Sequence, residues 1–178
     1  AFNSRNLAEI ARDKCLASGI FDKIIITSDD PFFEEIANCH EVEFLQRSKD
    51  LAGDEATTDM VIDFLFEEYS TCESILWVNS VSPLQSIQDI RNCGLRLNNP
   101  EVDSVMAVNT LYQHCSIANK PLNFNPNMAF EKTQDLEPIQ RYIYSCMGWR
   151  RSTYVKHRSD GFKGLFPGNM SLVEASVL

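Results

Sequence analysis

The strongest constraint on the fold of this chain is a regular alternation of short apolar runs and amphipathic stretches between residues 6 and 108. Apolar residues recur at helical spacing from Asn6, and Gly19 follows as a residue that ends helices. Short runs with the length and content of buried strands lie at 23–27, 42–45, 74–78 and 104–108. Helical patterns lie at 31–36, 57–69 and 86–97. The alternation predicts a mostly parallel sheet with helices on both faces.

The alternation stops at about residue 109. Turn-forming Asn and Pro residues mark the stretch 109–136, which predicts an irregular β excursion from the sheet. Residues 141–154 mix aromatic and basic side chains, and 162–173 have the pattern of short strands. We expect one domain over residues 1–178, with the excursion as its accessory element.

The composition limits the partners of this domain. The chain has 178 residues, of which 44% are hydrophobic, so it is long enough and apolar enough to bury a core. Its formal net charge of -9 argues against a nucleic-acid surface, which needs a basic stripe. A single nucleotide is compatible with that charge, because a helix N-terminus and a few cations suffice to hold phosphates.

The six cysteines are scattered, without a CxxC pair or a histidine at zinc spacing. We interpret them as reduced thiols, which favours a cytoplasmic location. The sequence lacks a run near the ~20 apolar residues that cross a bilayer and a charged segment followed by an apolar one. We therefore expect neither export nor a membrane partner.

Four segments, in this order, resemble the enzymes that make CMP-sialic acid and other CMP-linked sugar acids, which belong to the cytidylyltransferases. The first two segments are residues 18–30, which end in Thr-Ser-Asp-Asp, and residues 44–58, which contain Leu-Ala-Gly-Asp-Glu-Ala-Thr-Thr. The other two are residues 76–86, which contain Asn-Ser-Val-Ser-Pro-Leu, and residues 134–138, which begin with Gln-Asp-Leu. The resemblance implies a Rossmann-like fold of the nucleotide-diphospho-sugar transferase type, with CTP and a sugar acid as ligands. It also implies a homodimer, held by the excursion at 109–136.

The resemblance assigns residues to two sides of a site. It places Arg47, Ala56, Thr57 and Thr58 near the cytidine and ribose, and Asn79, Ser80, Val81, Ser82 and Gln134 near the sugar. An ordinary surface arginine and a helix N-cap at Thr57 or Thr58 are the alternative interpretation of the nucleotide group.

Several positions depart from the family pattern. Asn79 replaces a glutamine, Val81 replaces a threonine, and Gln85 replaces an arginine. Thr133 stands where an arginine would pair the substrate carboxylate, and a hydroxyl does not supply that charge. These departures put sialic acid as the substrate in doubt, while the resemblance to the cytidylyltransferases as a class remains.

The resemblance also places two elements beyond this sequence. The phosphate-binding loop is expected before Ala1, and the Asp-x-Asp pair that holds Mg²⁺ is expected after Leu178. Mg²⁺ is thus an expected cofactor, while no catalytic residue or metal ligand is assigned within the chain. Asp29 and Asp30 fit a turn and a helix cap better than a metal site.

Two smaller groups of residues stay outside this assignment. His40, His114 and His157 lack a companion pattern for a hydrolase triad. The basic residues at 150–151 and 156–158 are interpreted as solvated charge, with a substrate carboxylate or a dimer partner as the alternative.

The leading hypothesis is therefore a CTP-dependent cytidylyltransferase that activates a sialic acid or related sugar acid and releases pyrophosphate. Two alternatives remain open: a non-catalytic relative that serves as a binding or assembly module, and a nucleotidyltransferase for a different sugar.

Overall fold

The computed structural model describes residues 5–38 and 41–176. Its helices are α1 (Leu7–Ser18), α2 (Phe32–Ala37), α3 (Thr58–Glu68), α4 (Ile87–Leu97) and α5 (Arg151–Ser159). Its strands are β1 (Ile24–Ser28), β2 (Val42–Gln46), β3 (Ser74–Val78), β4 (Ser104–Leu111), β5 (Ser116–Ile117), β6 (Lys120–Pro121), β7 (Ile139–Arg150) and β8 (Met170–Glu174). Short 3-10 helices span Lys49–Leu51 and Thr133–Asp135.

The largest sheet has the strand order β3-β7-β4-β8. Strand β7 runs antiparallel to both β3 and β4, and β8 runs parallel to β4, so β3, β4 and β8 share one direction. Strands β1 and β2 form a separate parallel pair, and β5 and β6 form a small antiparallel hairpin. The mostly parallel α/β fold is confirmed, and β7 is the strand that departs from the expected direction.

Helices cover both faces of the large sheet, as the alternation predicts. On one face, Ile62 and Phe66 of α3 pack with Met147 and Trp149 of β7. On the other face, Leu97 of α4 belongs to a second core with residues of β4 and β7. Each face of the sheet therefore has its own apolar core.

Local sequence signals explain where the helices begin and end. Asn6 and Glu9 form a reciprocal capping box at the start of α1, and Gly19 ends that helix with φ of 63°. Ser86 forms a second capping box at the start of α4. Thr57 occupies the N-cap position of α3 but makes no side-chain cap hydrogen bond, so its hydroxyl is not consumed by capping.

The pairing of β4 with β7 contains a bulge near the carboxyl end of β3. Met106 pairs with Met147, whereas Val108 pairs with Tyr142, so residues 143–146 lie opposite Ala107 alone. The chain accommodates the extra residues at Tyr144, whose φ is 53°. Tyr144 is therefore left without a pairing partner on β4.

The interpretation of the basic residues as solvated charge is wrong for Arg150 and Arg158. Arg150 donates to the carbonyl oxygens of Leu97, Asn99 and Val102, which ties β7 to the loop before β4. Arg158 pairs with Asp59 and Asp63 of α3. These guanidinium groups hold elements together, a role that the local sequence does not reveal.

The described cysteines are free thiols: Cys15, Cys72, Cys93, Cys115 and Cys146. Burial raises the pKa of the Cys15 thiol to about 12. Cys39 and His40 lie outside the described residues.

Candidate nucleotide and sugar site

A cavity of about 200 Å³ lies between the loop after β2 and the start of α3. The residues predicted to contact the nucleotide all line it, and they are Arg47, Ala56, Thr57 and Thr58. Further lining comes from 51–53, Val61 and Trp77. Residues of the loop after β2, of α3 and of β3 thus line one shallow, open depression.

Backbone hydrogen bonds shape the loop that forms this cavity. The N–H of Arg47 donates to the carbonyl of Ser28 at 3.0 Å, which continues the pairing of β1 with β2 by one residue. The N–H of Gly53 donates to Lys49 and that of Ala56 donates to Gly53, each at 3.0 Å. The loop closes over the N-terminus of α3, where the helix dipole favours negative charge.

Arg47 supplies a cation to the cavity wall. Its side chain is half-buried, and its Nε atom is buried without a hydrogen-bond partner in the described part of the chain. A buried donor without a partner costs free energy, and a ligand acceptor would offset that cost. Arg47 is therefore not an arginine of the open surface.

Trp77 is a cavity residue that the sequence analysis did not single out. It lies on β3, is half-buried, and packs against the core beneath α3. An indole ring in the wall of a cavity suits a planar ligand such as a nucleobase. The signal available in the sequence was the alternation along β3, which puts Ile75 and Trp77 on the same face of the sheet as α3.

Asp59 of α3 forms an ion pair with α5. The neighbouring Thr57 hydroxyl lowers the pKa of the Asp59 carboxyl, and Arg158 adds to this effect from 3.3 Å. Asp59 is therefore ionised at neutral pH, and the Arg158 guanidinium balances its charge.

The predicted sugar-side residues 79–82 form a turn directly after β3. The N–H of Asn79 donates to the Ser145 carbonyl at 2.9 Å, and its side-chain amide donates to the Tyr144 carbonyl at 3.4 Å. The Oδ1 atom of Asn79 accepts from the N–H of Val81 at 3.2 Å. Asn79 therefore fixes the turn against the β7 bulge, a role that the sequence analysis did not assign to it.

The other residues of this turn differ in exposure. Ser80 and Ser82 are half-buried, and the N–H of Ser82 donates to the Asn79 carbonyl at 3.1 Å. The Val81 side chain is 69% exposed and points away from any core. The turn thus presents an apolar group to solvent at the position where the family has a hydroxyl.

Gln134 lies in the 3-10 helix Thr133–Asp135 and is exposed. Within the described ranges, no hydrogen bond joins its side chain to residues 79–82. The structure therefore leaves Gln134 apart from the hydrogen-bonded turn.

Gln85 lies behind the turn in the interior. Its residue exposure is 1%, and neither atom of its amide group has a hydrogen-bond partner in the described chain. The ammonium of Lys14 donates to the carbonyl oxygens of Pro83 and Gln85, each at 2.6 Å. The position at which the family has an arginine is therefore filled by a buried neutral group with a lysine next to it.

Arg141 is a second cation that the sequence analysis missed. It is exposed on β7, and its Nη2 atom donates to Oδ1 of Asn109 at 3.2 Å. Asn109 lies in the last part of β4, at the edge of the sheet where the parallel strands end. Ligands of open α/β sheets bind at this edge.

The described residues contain no cluster of metal-ligating side chains. Among them, no three His, Cys, Asp or Glu side chains lie close enough together to hold a metal ion. Asp30 accepts a hydrogen bond from the N–H of Phe32 at 2.9 Å, so it stabilises the turn before α2, as the sequence analysis expects.

A larger cavity of about 610 Å³ lies between α3 and α5 and contains none of the predicted site residues. Its lining includes Arg158, Asp63 and Tyr154. Arg158 is already paired with Asp63, whereas the smaller cavity is the one lined by the residues predicted to contact the nucleotide. We therefore place the candidate site at the smaller cavity.

The fold and the cavity together define an α/β domain with a candidate ligand site between the loop after β2 and the start of α3. A family model described as Cytidylyltransferase matches residues 1–144, which is most of the chain. The chain belongs to the cytidylyltransferase family.

Curated relatives agree with this assignment. An N-acylneuraminate cytidylyltransferase of Streptococcus agalactiae serotype III (strain NEM316) is 24% identical over 156 residues, covering 83% of this chain and 38% of the relative. The enzyme of the same description from Escherichia coli O18:K1:H7 (strain RS218 / NMEC) is 21% identical over 149 residues, covering 84% of this chain and 33% of the relative. The chain thus spans little more than a third of these relatives.

Solved structures share the fold. CMP:2-keto-3-deoxy-manno-octonic acid synthetase complexed with CTP has a TM-score of 0.66 at 10% identity, covering 98% of this chain and 82% of that one. The 4-diphosphocytidyl-2C-methyl-D-erythritol synthase of Anaerococcus prevotii DSM 20548 has a TM-score of 0.64 at 13% identity, and the match covers 99% of this chain and 82% of that one. Within the described residues, no helix combines the length and the apolar character needed to cross a membrane.

Proposed function

We propose that this chain forms the cytidine-binding part of an enzyme that transfers CMP from CTP to a sugar acid and releases pyrophosphate. The observation that carries the proposal is the cavity in which Arg47, Thr57 and Trp77 surround the N-terminus of α3. Relatives described as N-acylneuraminate cytidylyltransferases support the reaction class.

In this reaction a sugar hydroxyl attacks the α-phosphorus of CTP. The new oxygen–phosphorus bond replaces the bond to pyrophosphate, and the hydroxyl proton leaves to solvent or to a base. The main task of a protein in such a transfer is to hold both reactants in line. In this chain, Arg47 and the α3 N-terminus would orient the cytidine half, with Trp77 against the base.

The acceptor would lie at the turn formed by residues 79–82 and at the neighbouring part of β7. Arg141 offers an exposed guanidinium at this edge of the sheet, and a guanidinium is well suited to a carboxylate. This supports an acid as the acceptor class although Thr133 and Gln85 are uncharged. A sialic acid, 2-keto-3-deoxy-manno-octonic acid and a different sugar are all acceptors to be tested.

A non-catalytic binding module is the second candidate. The observation that favours it is the sugar-side turn, where the Asn79 amide is already bonded to protein atoms and Val81 offers no hydroxyl. Such a module would bind CTP without turning it over in the presence of any sugar acid.

Mg²⁺, a homodimer and a cytoplasmic location belong to the same proposal. Mg²⁺ in such sites is usually held by one or two carboxylates together with substrate phosphates, and it would supply positive charge to the phosphates of CTP. The dimer is supported by exposed apolar side chains on the excursion, among them Ile117, Met128 and Phe130. The free thiols of the described cysteines are consistent with a reducing compartment.

Calorimetric titration with CTP, with and without Mg²⁺, tests the proposal, and ATP serves as the control nucleotide. CTP should bind selectively, and Arg47→Ala should weaken it about ten- to hundredfold, because a charge-assisted hydrogen bond is lost. The matched control is Arg5→Ala, which removes an exposed guanidinium paired with Asp13 and should leave CTP affinity unchanged. Equal affinity for CTP and ATP, or an Arg47→Ala variant that binds like the parent, contradicts the assignment.

A further inference from the structure

Tyr144 has a backbone conformation that its residue type disfavours. Its φ of 53° lies in the left-handed region, where an L residue with a Cβ atom is strained and where glycine or asparagine is normally found. It shares this property, among the described residues, with Ala118 and Asn119, which form the tight connection between β5 and β6. Tyr144 instead lies within the long strand β7.

The strain does not serve to bury the aromatic ring. The Tyr144 side chain is 54% exposed, and its nearest aromatic neighbour is Tyr142, with ring centroids 6.3 Å apart at an interplanar angle of 73°. The residues that follow, Ser145 and Cys146, are both fully buried. Because the ring is exposed, the packing of the core does not require an aromatic side chain at this position.

The bulge is held firmly in place. Asn79 donates its main-chain N–H to Ser145 and its side-chain amide to the Tyr144 carbonyl. These bonds connect the turn after β3 directly to the backbone of the strained residue. Strained residues that are held by their surroundings tend to occur at functional sites. The positive φ of Tyr144 therefore points to a role other than packing.

The position of Tyr144 indicates what that role is. Its carbonyl accepts a hydrogen bond from the side chain of Asn79, so Tyr144 lies beside the turn that follows β3. Ser80 and Ser82 of that turn are half-buried, so an exposed aromatic residue and polar groups occur at the same edge of the sheet. Binding pockets for small polar ligands combine an apolar wall with a few oriented polar groups.

We propose that the Tyr144 ring forms one wall of the acceptor subsite and determines which sugar acids fit it. The ring would contact the C–H face of the sugar, and the phenol hydroxyl is available to a ring substituent. This inference rests on the proposed function, since it assumes that a sugar acid is the acceptor. The bulge then keeps the ring exposed in the free protein so that the acceptor meets a formed surface.

The test uses three variants of the full chain. Tyr144→Asn removes the ring with a residue that tolerates positive φ, and Tyr144→Phe keeps the ring without its hydroxyl. Phe162→Asn is the matched control, because it removes a ring that is 59% exposed and stacks on His157, away from the candidate site. For each protein, the thermal unfolding midpoint, the CTP affinity and the affinity of the CTP-loaded chain for N-acetylneuraminic acid and 2-keto-3-deoxy-manno-octonic acid are measured.

Tyr144→Asn should unfold no earlier than the parent and bind CTP equally well, yet bind the preferred acid roughly tenfold more weakly, as expected for the loss of an apolar contact area. Tyr144→Phe should retain most of the acid affinity, and Phe162→Asn should retain all of it. A purely structural role would change the unfolding midpoint and leave acid affinity unaltered.

Two results overturn the inference in distinguishable ways. If CTP and an acid bind the parent and Tyr144→Asn binds both equally well, Tyr144 has no part in acceptor binding while the proposed function stands. If the parent binds no CTP, or binds CTP but neither acid, the proposed function fails and the inference falls with it.

Discussion

The carboxylate of Asp89 accepts hydrogen bonds from both the main-chain N–H and the hydroxyl of Ser176, each at 3.0 Å. It also accepts from the N–H of Ser86 at 3.1 Å, as part of the capping box of α4. Asp89 is only 3% exposed. One nearly buried side chain therefore joins the start of α4 to the segment that follows β8.

Replacing Asp89 should destabilise the fold. Asp89→Asn keeps the size of the side chain but removes the charge and brings an amide donor toward N–H groups, so we expect a loss of about 1–3 kcal/mol in the free energy of unfolding. Urea denaturation at pH 7 measures it. The exposed Asp160 provides the control, because Asp160→Asn should change stability by less than about 0.5 kcal/mol. Equal stability of the two variants would show that the Asp89 contacts contribute nothing.

The same residue should make stability depend on pH in the acid range. Burial acts to raise the pKa of Asp89, but the hydrogen bonds from Ser176 and Ser86 outweigh it, and the folded pKa lies below the ordinary value. The stabilisation is thus complete above about pH 5 and is lost as pH falls through the folded pKa. Between pH 5 and pH 3, the parent should lose more unfolding free energy than Asp89→Asn. Parallel pH profiles would contradict this assignment.

Much of the fold was predictable because it depends on local patterns. Strand β3 spans Ser74–Val78, as the apolar run predicted, and α1 follows the helical spacing predicted from about Asn6 and ends at the predicted cap, Gly19. Strand β7 was not predicted, since its sequence mixes aromatic and basic residues and its direction is set by pairing with β3 and β4. The role of Arg150, which donates to three carbonyl oxygens of a distant loop, likewise depends on tertiary contacts.

The residues that line the candidate cavity could be grouped from the sequence, whereas the surroundings of residues 79–82 could not. Residues 56–58 and Arg47 are close in sequence, so one loop carries them to the same cavity. Asn79 and Tyr144 meet through the bulge of β7, and the sequence gives no local signal for the register of that bulge. Gln85 follows the same turn, and its 1% exposure depends on tertiary packing that its place in the sequence does not reveal.

Gly148 provides a test of the packing between α4 and the sheet. A Cβ atom at this position would lie 2.7 Å from Leu97, 2.8 Å from Leu76 and 3.0 Å from Val105, all of them core side chains. Gly148→Ala should therefore cost about 1–3 kcal/mol through overpacking. Gly53→Ala is the control, since its Cβ would meet only the Lys49 carbonyl at 3.7 Å. Differential scanning calorimetry should show a lowered midpoint for Gly148→Ala alone, and an unchanged midpoint would mean that the core has room there.

Arg141 should matter for the acid and not for the nucleotide. Arg141→Gln removes the guanidinium charge while keeping a polar side chain of similar reach, so the affinity of the CTP-loaded chain for its sugar acid should fall about tenfold or more. CTP affinity should stay within about twofold, because Arg141 does not line the nucleotide cavity. Calorimetry with each ligand measures both values. If the two affinities fall together, Arg141 supports the fold of the edge and does not bind the acid.

Trp77 should report nucleotide binding by its own fluorescence. The chain has two tryptophans, and they differ in what a ligand is able to reach. Trp149 is fully buried and donates its indole N–H to the Leu165 carbonyl at 2.7 Å, whereas Trp77 lines the candidate cavity. CTP should therefore quench part of the emission with the affinity found by calorimetry. The Trp77→Phe variant should retain the emission of Trp149, lose the response to CTP and bind CTP more weakly, because the smaller ring gives less contact with the base. If the CTP-dependent quenching persists in Trp77→Phe, the nucleotide binds away from this cavity.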